Sequence, residues 1–453
     1  MKKTKENEKM AEPGRLRVHV CIDQELGHVK ATGLARTWLG LLEAARVHAD
    51  LDLTVHAPAP MARVQSLAAN VRVCEHRVRY RVARWLERRG VTSPTPWLVG
   101  PWIRTLGREL AGADVIQTTS THQALSLTGL VAATRRRIPL VTALQTDAAA
   151  YAAHDARALA RHLFRLRGRL RVDPEACARA AHRAMERQIE WYLRRCALVF
   201  VSAPAQTRHV SLAGPAARAA YLPRGIDCRT FAPIHRDRDW LAHRYGIARD
   251  MPVVLYVGRI GPEKSPLRLA GALGRLAAEG ERFTLIVCGN GPERAALADL
   301  LPGRVVFAGY QPHETLRRIY ASADVFAFPS ETECFAGVVV EAMASALPVL
   351  VSGRGGAGQH VSRPGEDGVI VAESTDAAWA AAIGALLRDP GRRLRLGQQA
   401  RQRVLDRYPT WGAVMAEVVK PSWIAAAATR DAQPAWRPLP RGWTAPHRAL
   451  SRA

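Results

Sequence analysis

The sequence is short of several features that usually reveal a chain's class. Cysteine is scarce: seven in 453 residues (Cys21, Cys74, Cys177, Cys196, Cys228, Cys288 and Cys334), odd in number, scattered and without a C-x-x-C pair. That excludes a disulfide scaffold and a cysteine-based zinc frame, and it reads as the reduced thiols of a cytoplasmic protein. No run of about 18 uncharged apolar residues exists, so no membrane-spanning helix is expected. The charged start, Met1-Lys2-Lys3-Thr4-Lys5-Glu6-Asn7-Glu8, has no apolar stretch behind it and reads as a tail, not a secretory leader. No period of 20–50 residues recurs, which excludes a repeat array.

Acid is also in short supply, with 40 Asp+Glu against 65 Lys+Arg and a net charge of +25. Residues 1–235 carry 37 Lys+Arg and 19 Asp+Glu, a net +18; the remainder carries 28 and 21, a net +7. Two runs stand out: Arg77, Arg79, Arg81, Arg84, Arg88 and Arg89, then Arg161, Arg165, Arg167, Arg169 and Arg171. Such surfaces suit anionic lipid, nucleic acid or a phosphorylated substrate, with a plainly solvated Arg-rich face as the alternative. Nucleic acid is not expected, because only Tyr80, Trp85 and Phe164 interleave with the basic residues. Tyr80, Val82, Trp85 and Leu86 make the first run suited to peripheral contact with an anionic membrane on its inner face.

What is present is an alternation of short apolar runs with helix-length segments. Strands are predicted at Leu16–Cys21, Leu51–His56, Val71–Cys74, Val115–Gln117, Leu140–Leu144 and Leu198–Val201, with helices such as Leu34–Val47, Ala124–Arg136 and Glu175–Arg195 between them. A second series follows at Pro252–Val257, Phe283–Cys288, Val305–Ala308, Val325–Phe328, Val349–Val351 and Val369–Val371. Strands covered by helices on both faces read as continuous apolar runs. The expected fold is therefore α/β, two doubly wound Rossmann-like domains facing a cleft. The boundaries read as a charged tail over 1–14, a first domain over 15–222, a linker over 223–240, a second domain over 241–405, a return helix over 406–425, and a Pro/Arg/Trp-rich tail over 426–453.

Two loops carry chemistry. Ala323-Asp324-Val325-Phe326-Ala327-Phe328 leads through Pro329-Ser330-Glu331-Thr332-Glu333 into Phe335-Ala336-Gly337 and a helix that contains Glu341. Glu333 lies at a strand's C-terminal end, where open α/β sheets bind ligands, and the free N–H groups of the next helix suit a phosphate. Glu341 follows about a turn into that helix, so two carboxylates can flank one anion site. After the strand Val253–Tyr256, Gly258-Arg259-Ile260-Gly261-Pro262-Glu263-Lys264 sets two cations five residues apart on a glycine-bearing loop. Glu263 stands where a P-loop needs its second Gly. Gly353-Arg354-Gly355-Gly356-Ala357-Gly358 formally matches a dinucleotide fingerprint, but too few residues separate it from the next strand for a crossover helix, which disfavours an NAD-dependent oxidoreductase.

Together these pieces resemble family 4 retaining glycosyltransferases, which have the GT-B fold. The matching residues are Gly225-Ile226-Asp227 with Phe231 and Pro233; Gly258-Arg259 with Glu263-Lys264; Gly289-Asn290-Gly291-Pro292; Phe307-Ala308-Gly309; Pro329-Ser330 with Glu333 and Glu341-Ala342-Met343-Ala344; and Gly365-Glu366-Asp367-Gly368. Ala336 and Ala346 stand where the family usually has Gly. The resemblance implies a nucleotide-diphosphate-sugar donor, UDP- or GDP-linked, and transfer with retention to a hydroxyl of a lipid, glycan or small-molecule acceptor. No cofactor and no metal are expected. It places the diphosphate on Arg259, Lys264 and the amides around Phe335, Ala336 and Gly337, the ribose on Glu341 and the transferred sugar on Glu333. Gly258, Gly291 and Gly309 border the donor, Gly33 approaches its phosphate from the first domain, and Asp147 in Gln145-Thr146-Asp147 lies near the reacting sugar.

Overall fold

The structure is a computed structural model and describes residues 14–26, 33–77, 104–145, 148–167, 173–202, 207–213, 218–333 and 335–430. Residues 1–13 and 431–453, Asp147, all of the first arginine run but Arg77, and Arg169 and Arg171 of the second lie outside the described residues, whereas the start of the stretch expected as the second tail, 426–430, is described and Ala426 is buried in a core.

Among the described residues, eight strands form the first sheet: β1 (Leu16–Cys21), β2 (Leu51–Ala59), β3 (Arg63–Ala68), β4 (Val71–Arg77), β5 (Val115–Thr118), β6 (Leu140–Leu144), β7 (Leu198–Val201) and β8 (Arg218–Tyr221). Their spatial order is β3-β4-β2-β1-β5-β6-β7-β8. The sequence pattern called for parallel strands only, and β3 corrects it: it pairs antiparallel with β4 across a tight turn. Its residues are mostly exposed, so the apolar signature of a buried strand is missing. The other edge strand, β8, is absent from the sequence expectation for the same reason. Two predicted strands also run on past their apolar cores, β2 to Ala59 and β4 to Arg77, which brings His76 into the sheet.

The second sheet contains β9 (Val253–Val257), β10 (Thr284–Cys288), β11 (Val305–Phe307), β12 (Val325–Phe328), β13 (Val349–Ser352) and β14 (Val369–Val371), all parallel, in the order β11-β10-β9-β12-β13-β14. Every residue of β9, β12 and β13 is buried, because helices pack on both faces. The stretch expected as a linker is largely part of this domain. Ile226 and Phe231 belong to its core, Phe231 stands edge-on to Tyr320 at 5.8 Å, and Asp237 caps the helix Arg238–Tyr245 by accepting the Trp240 N–H at 2.8 Å.

The chain then returns to the first domain. After the helix Pro390–Arg407, Thr410 caps a segment that runs as Trp411–Ala413, a π-helical stretch Val414–Val419 and a helix Lys420–Ala427. Val414, Met415, Val419, Trp423 and Ala426 sit in the first domain's core beside Trp38 and Leu41. Trp411 is flanked by two glycines: a Cβ on Gly40 would lie 2.6 Å from its ring, and one on Gly225 2.5 Å. Only glycine at both places lets the indole lie between the helix Gly33–Ala45 and the chain entering the second domain.

Candidate active site

Each sheet reverses its winding once, between β1 and β5 in the first and between β9 and β12 in the second. The loops diverge there and open a crevice at the C-terminal strand ends. In the second sheet those two loops carry Arg259 with Lys264, and Glu333. The ammonium of Lys264 pairs with Glu333 Oε1, which also accepts the Ser330 hydroxyl at 3.2 Å. Thr332 Oγ1 donates to the Glu263 carbonyl at 2.7 Å, tying the loops together. Arg259 pairs with Glu263 at 2.6 Å while its side chain stays 39 % exposed. Both cations thus stand at one rim, each beside a carboxylate.

The helix Gly337–Ala344 begins at the same crevice. Ala336, before it, is held at φ 59°, ψ 59°, the left-handed region that costs a residue with a Cβ about 1 kcal/mol. Ala346, after the helix, has φ 57°. The two alanines at family-glycine positions therefore both occupy backbone that favours glycine. A Cβ on Gly337 would meet nothing within 4 Å, so the first turn borders open space.

Glu341 is buried, with Tyr320 donating its hydroxyl to Oε2 at 3.0 Å and Arg36 Nη1 3.3 Å from Oε1. Arg36 belongs to the first domain, one turn into the helix that starts at Gly33. Arg224 completes the bridge: its guanidinium donates to the Gly33 carbonyl at 3.3 Å and to Thr37 Oγ1, and lies 5.6 Å from the centre of the Phe335 ring. Gly33, Phe335, Ala336, Gly337 and Glu341 are therefore gathered with Lys264 and Glu333 where the domains meet. Arg36, Arg224 and Tyr320 were not anticipated. The signals were present for the two arginines, one following Gly33 by three residues and the other preceding Gly225.

Gly258, Gly291 and Gly309 lie behind this rim and lace three strand ends together. Gly258 N–H donates to the Cys288 carbonyl at 3.0 Å, Ile260 N–H to Asn290 at 3.0 Å, and Gly289 N–H to Gly309 at 2.8 Å. A Cβ on Gly291 would stand 2.2 Å from the Ile260 carbonyl oxygen, so this glycine is required for backbone packing. Gln145, at the end of β6, is 7 % exposed, and neither amide atom finds a protein partner among the described residues.

The Gly353–Gly358 loop is a brace. Gly356 N–H donates to the Glu333 carbonyl at 2.7 Å, and a single 3₁₀ turn, Gly358–His360, precedes β14, so no crossover helix follows. His360 is fully buried. Its Nε2 bonds to the Phe335 carbonyl, an acceptor, so Nε2 carries the proton and Nδ1 accepts from the Tyr408 hydroxyl at 2.5 Å. Burial pushes its pKa down to about 4. Between pH 6.5 and 4 the unfolded chain binds a proton that the folded chain does not, so stability is lost as pH falls through that window, by on the order of 3 kcal/mol in full. His360→Gln is expected to make the unfolding free energy fall less steeply than wild type over that window, measured by denaturant titration at stepped pH.

Residues 237–403 match the model of the family described as "Glycosyl transferases group 1". A GDP-mannose-dependent alpha-(1-6)-phosphatidylinositol monomannoside mannosyltransferase of Mycolicibacterium smegmatis is 35 % identical over 236 residues, 49 % of this chain and 61 % of that protein. A GDP-mannose-dependent alpha-mannosyltransferase of Mycobacterium tuberculosis is 32 % identical over 351 residues, 75 % of this chain and 80 % of that protein. The chain belongs to the group 1 glycosyltransferases. The match to a D-inositol 3-phosphate glycosyltransferase of Nocardia farcinica, 36 % identical over 196 residues, spans 40 % of this chain and 43 % of that protein. This group 1 chain thus spans less than two thirds of several relatives it matches. Among solved structures, sucrose-phosphate synthase from Thermosynechococcus elongatus aligns with a TM-score of 0.68 at 20 % identity, covering 91 % of this chain and all of that one. Anabaena HepE in complex with UDP and glucose aligns at 0.62 and 19 % identity, covering 90 % and 99 %. The two-domain GT-B fold is shared with both. Among the described residues, no helix is long and apolar enough to cross a membrane.

Proposed function

We propose that this chain transfers a sugar from a nucleotide-diphosphate sugar to an acceptor hydroxyl, with retention at the anomeric carbon and without a catalytic metal. The observation that carries the reading is the convergence of Lys264, Glu333, the open first turn at Gly337 and Glu341 on one crevice. Charge develops on the diphosphate as the glycosidic bond breaks, and fixed cations and amides at that place stabilise it. Lys264 and Arg259 supply the cations, and the helix N-terminus supplies the amides. Glu341, held by Tyr320 and Arg36, is placed to accept ribose hydroxyls. Glu333 accepts hydroxyls of the transferred sugar. In a retaining reaction of this kind the acceptor attacks from the face the diphosphate leaves, so Glu333 and Glu341 are binding groups and not the acid and nucleophile of a glycosidase.

Gln145 adds support from the first domain. A buried amide without a partner costs about 1–3 kcal/mol, a cost that a ligand hydroxyl bonded there would offset. The donor is read as GDP-mannose, after the names of the two mycobacterial mannosyltransferases described above, and the acceptor as a lipid, glycan or small polyol. The excess positive charge of residues 1–235 is read as contact with an anionic acceptor or membrane surface. Binding and slow hydrolysis of GDP-mannose, other GDP-sugars, UDP-sugars and ADP-sugars should be compared by calorimetry and product detection. GDP-mannose is expected to bind and turn over. Binding of a UDP- or ADP-sugar instead would move the donor, and binding of none would overturn the transferase reading. Magnetic resonance of the product's anomeric proton checks retention.

A further inference from the structure

A second cluster of chemistry-bearing side chains lies in the first domain, and the transfer site uses none of it. His19 on β1, His56 on β2 and His76 on β4 stand on three adjacent parallel strands. His19 is in register with Thr54, and His56 with Cys74, so each histidine sits two residues beyond the partner of the last. Side chains two apart share a face, and the three rings form a diagonal row. His19 Nδ1 lies 2.9 Å from His56 Nε2, and His56 Nδ1 lies 3.0 Å from His76 Nε2. Glu109, the last residue of the helix Arg104–Glu109, brings Oε2 to 3.5 Å from His56 Nδ1 and 3.8 Å from His76 Nε2.

A row of ring-to-ring hydrogen bonds can join the three histidines, but it does not account for the Glu109 carboxylate, whose Oε2 lies 3.5 and 3.8 Å from two of the same ring nitrogens. When His56 gives its Nε2 proton to His19 and His76 carries its own on Nδ1, His56 Nδ1 and His76 Nε2 both turn bare lone pairs towards the carboxylate. Three electron-pair donors then converge on one point, which a cation suits and a carboxylate alone does not. Zinc bonded to nitrogen and oxygen at about 2.0–2.1 Å in a tetrahedron sets its ligand atoms about 3.3–3.4 Å apart. The three separations here bracket that value. Two imidazoles and one carboxylate are a zinc-type donor set with a fourth position left for water. His19 fills the outer role of accepting a ligand's other ring proton, which fixes its tautomer and orientation. His56 is fully buried, whereas the Glu109 side chain is 43 % exposed and offers a way in for the ion.

We propose that His56 Nδ1, His76 Nε2 and Glu109 Oε2 form a zinc site that fastens the helix Arg104–Glu109 to the β1-β2-β4 side of the first sheet. This departs from the sequence expectation of no metal, and the site plays no part in sugar transfer. His56 and His76 are 20 residues apart and Glu109 is on a third element, so no local ligand spacing announces it.

The test uses the full chain, stripped with a chelator and titrated with zinc alone. Wild type is expected to bind one zinc per chain and to gain several degrees in its unfolding midpoint, and cobalt(II) in its place should give the intense visible bands of a four-coordinate ion. Glu109→Gln changes a half-exposed side chain and should keep the wild-type far-UV spectrum while losing stoichiometric binding. His19→Gln should weaken zinc by about 10–100-fold, as loss of a ligand's outer partner does. Wild type that binds no zinc at micromolar concentration, or Glu109→Gln that binds it as tightly as wild type, would overturn the site.

Discussion

Lys264→Ala is expected to lower sugar transfer by about 10²–10³-fold, the usual consequence of removing one fixed group that faces developing charge. Its unfolding midpoint should stay close to wild type. The Lys264 side chain is 22 % exposed and pairs with Glu333, and ion pairs at such partly open positions contribute about 0–1 kcal/mol to stability. The loss should therefore fall on kcat more than on the donor's KM, because the diphosphate carries most charge as it leaves. Arg259→Ala should behave alike. Glu341→Ala should differ, since it also strips the partners of a buried Tyr320 hydroxyl and of Arg36 from the other domain. There, stability and donor KM should both suffer. Full turnover in Lys264→Ala, once the donor is in hand, would remove the cationic clamp from the mechanism.

Trp423→Ala is expected to destabilise the chain by about 3–5 kcal/mol, the range for deleting a large buried aromatic side chain. The indole is fully buried in the first domain's core, and its Nε1 donates to Gln117 Oε1 at 2.5 Å. Truncation leaves a cavity and strips Gln117 of a partner. Ile424, the next residue, is 51 % exposed, and Ile424→Ala should change stability by no more than about 0.5 kcal/mol. Denaturant titration of both variants checks the contrast. A loss below 1 kcal/mol for Trp423→Ala would mean that the returning helix is not part of the first domain's core. The same segment carries Trp411 between Gly40 and Gly225, so it also spans the junction between the domains.

The sequence alone determined whatever depends on short-range pattern. Buried strands such as Leu140–Leu144 and helices such as Ala124–Arg136 are legible because burial on both faces, or on one stripe, leaves a period in the residues themselves. The loops bearing Arg259, Lys264, Glu333 and Glu341 are legible because glycines and charges at strand ends keep fixed spacings. The edge strands of the first sheet were not, since β3 and β8 are mostly exposed and carry little apolar signal. Nor were the long-range meetings. Arg36 and Glu341 are separated by 305 residues, Trp423 and Gln117 by 306, and the His56–His76–Glu109 triangle comes from three elements. Such contacts are set by strand order, by the point where each sheet reverses and by where the chain's end packs. Those depend on how whole faces bury one another, and only the tertiary structure decided them.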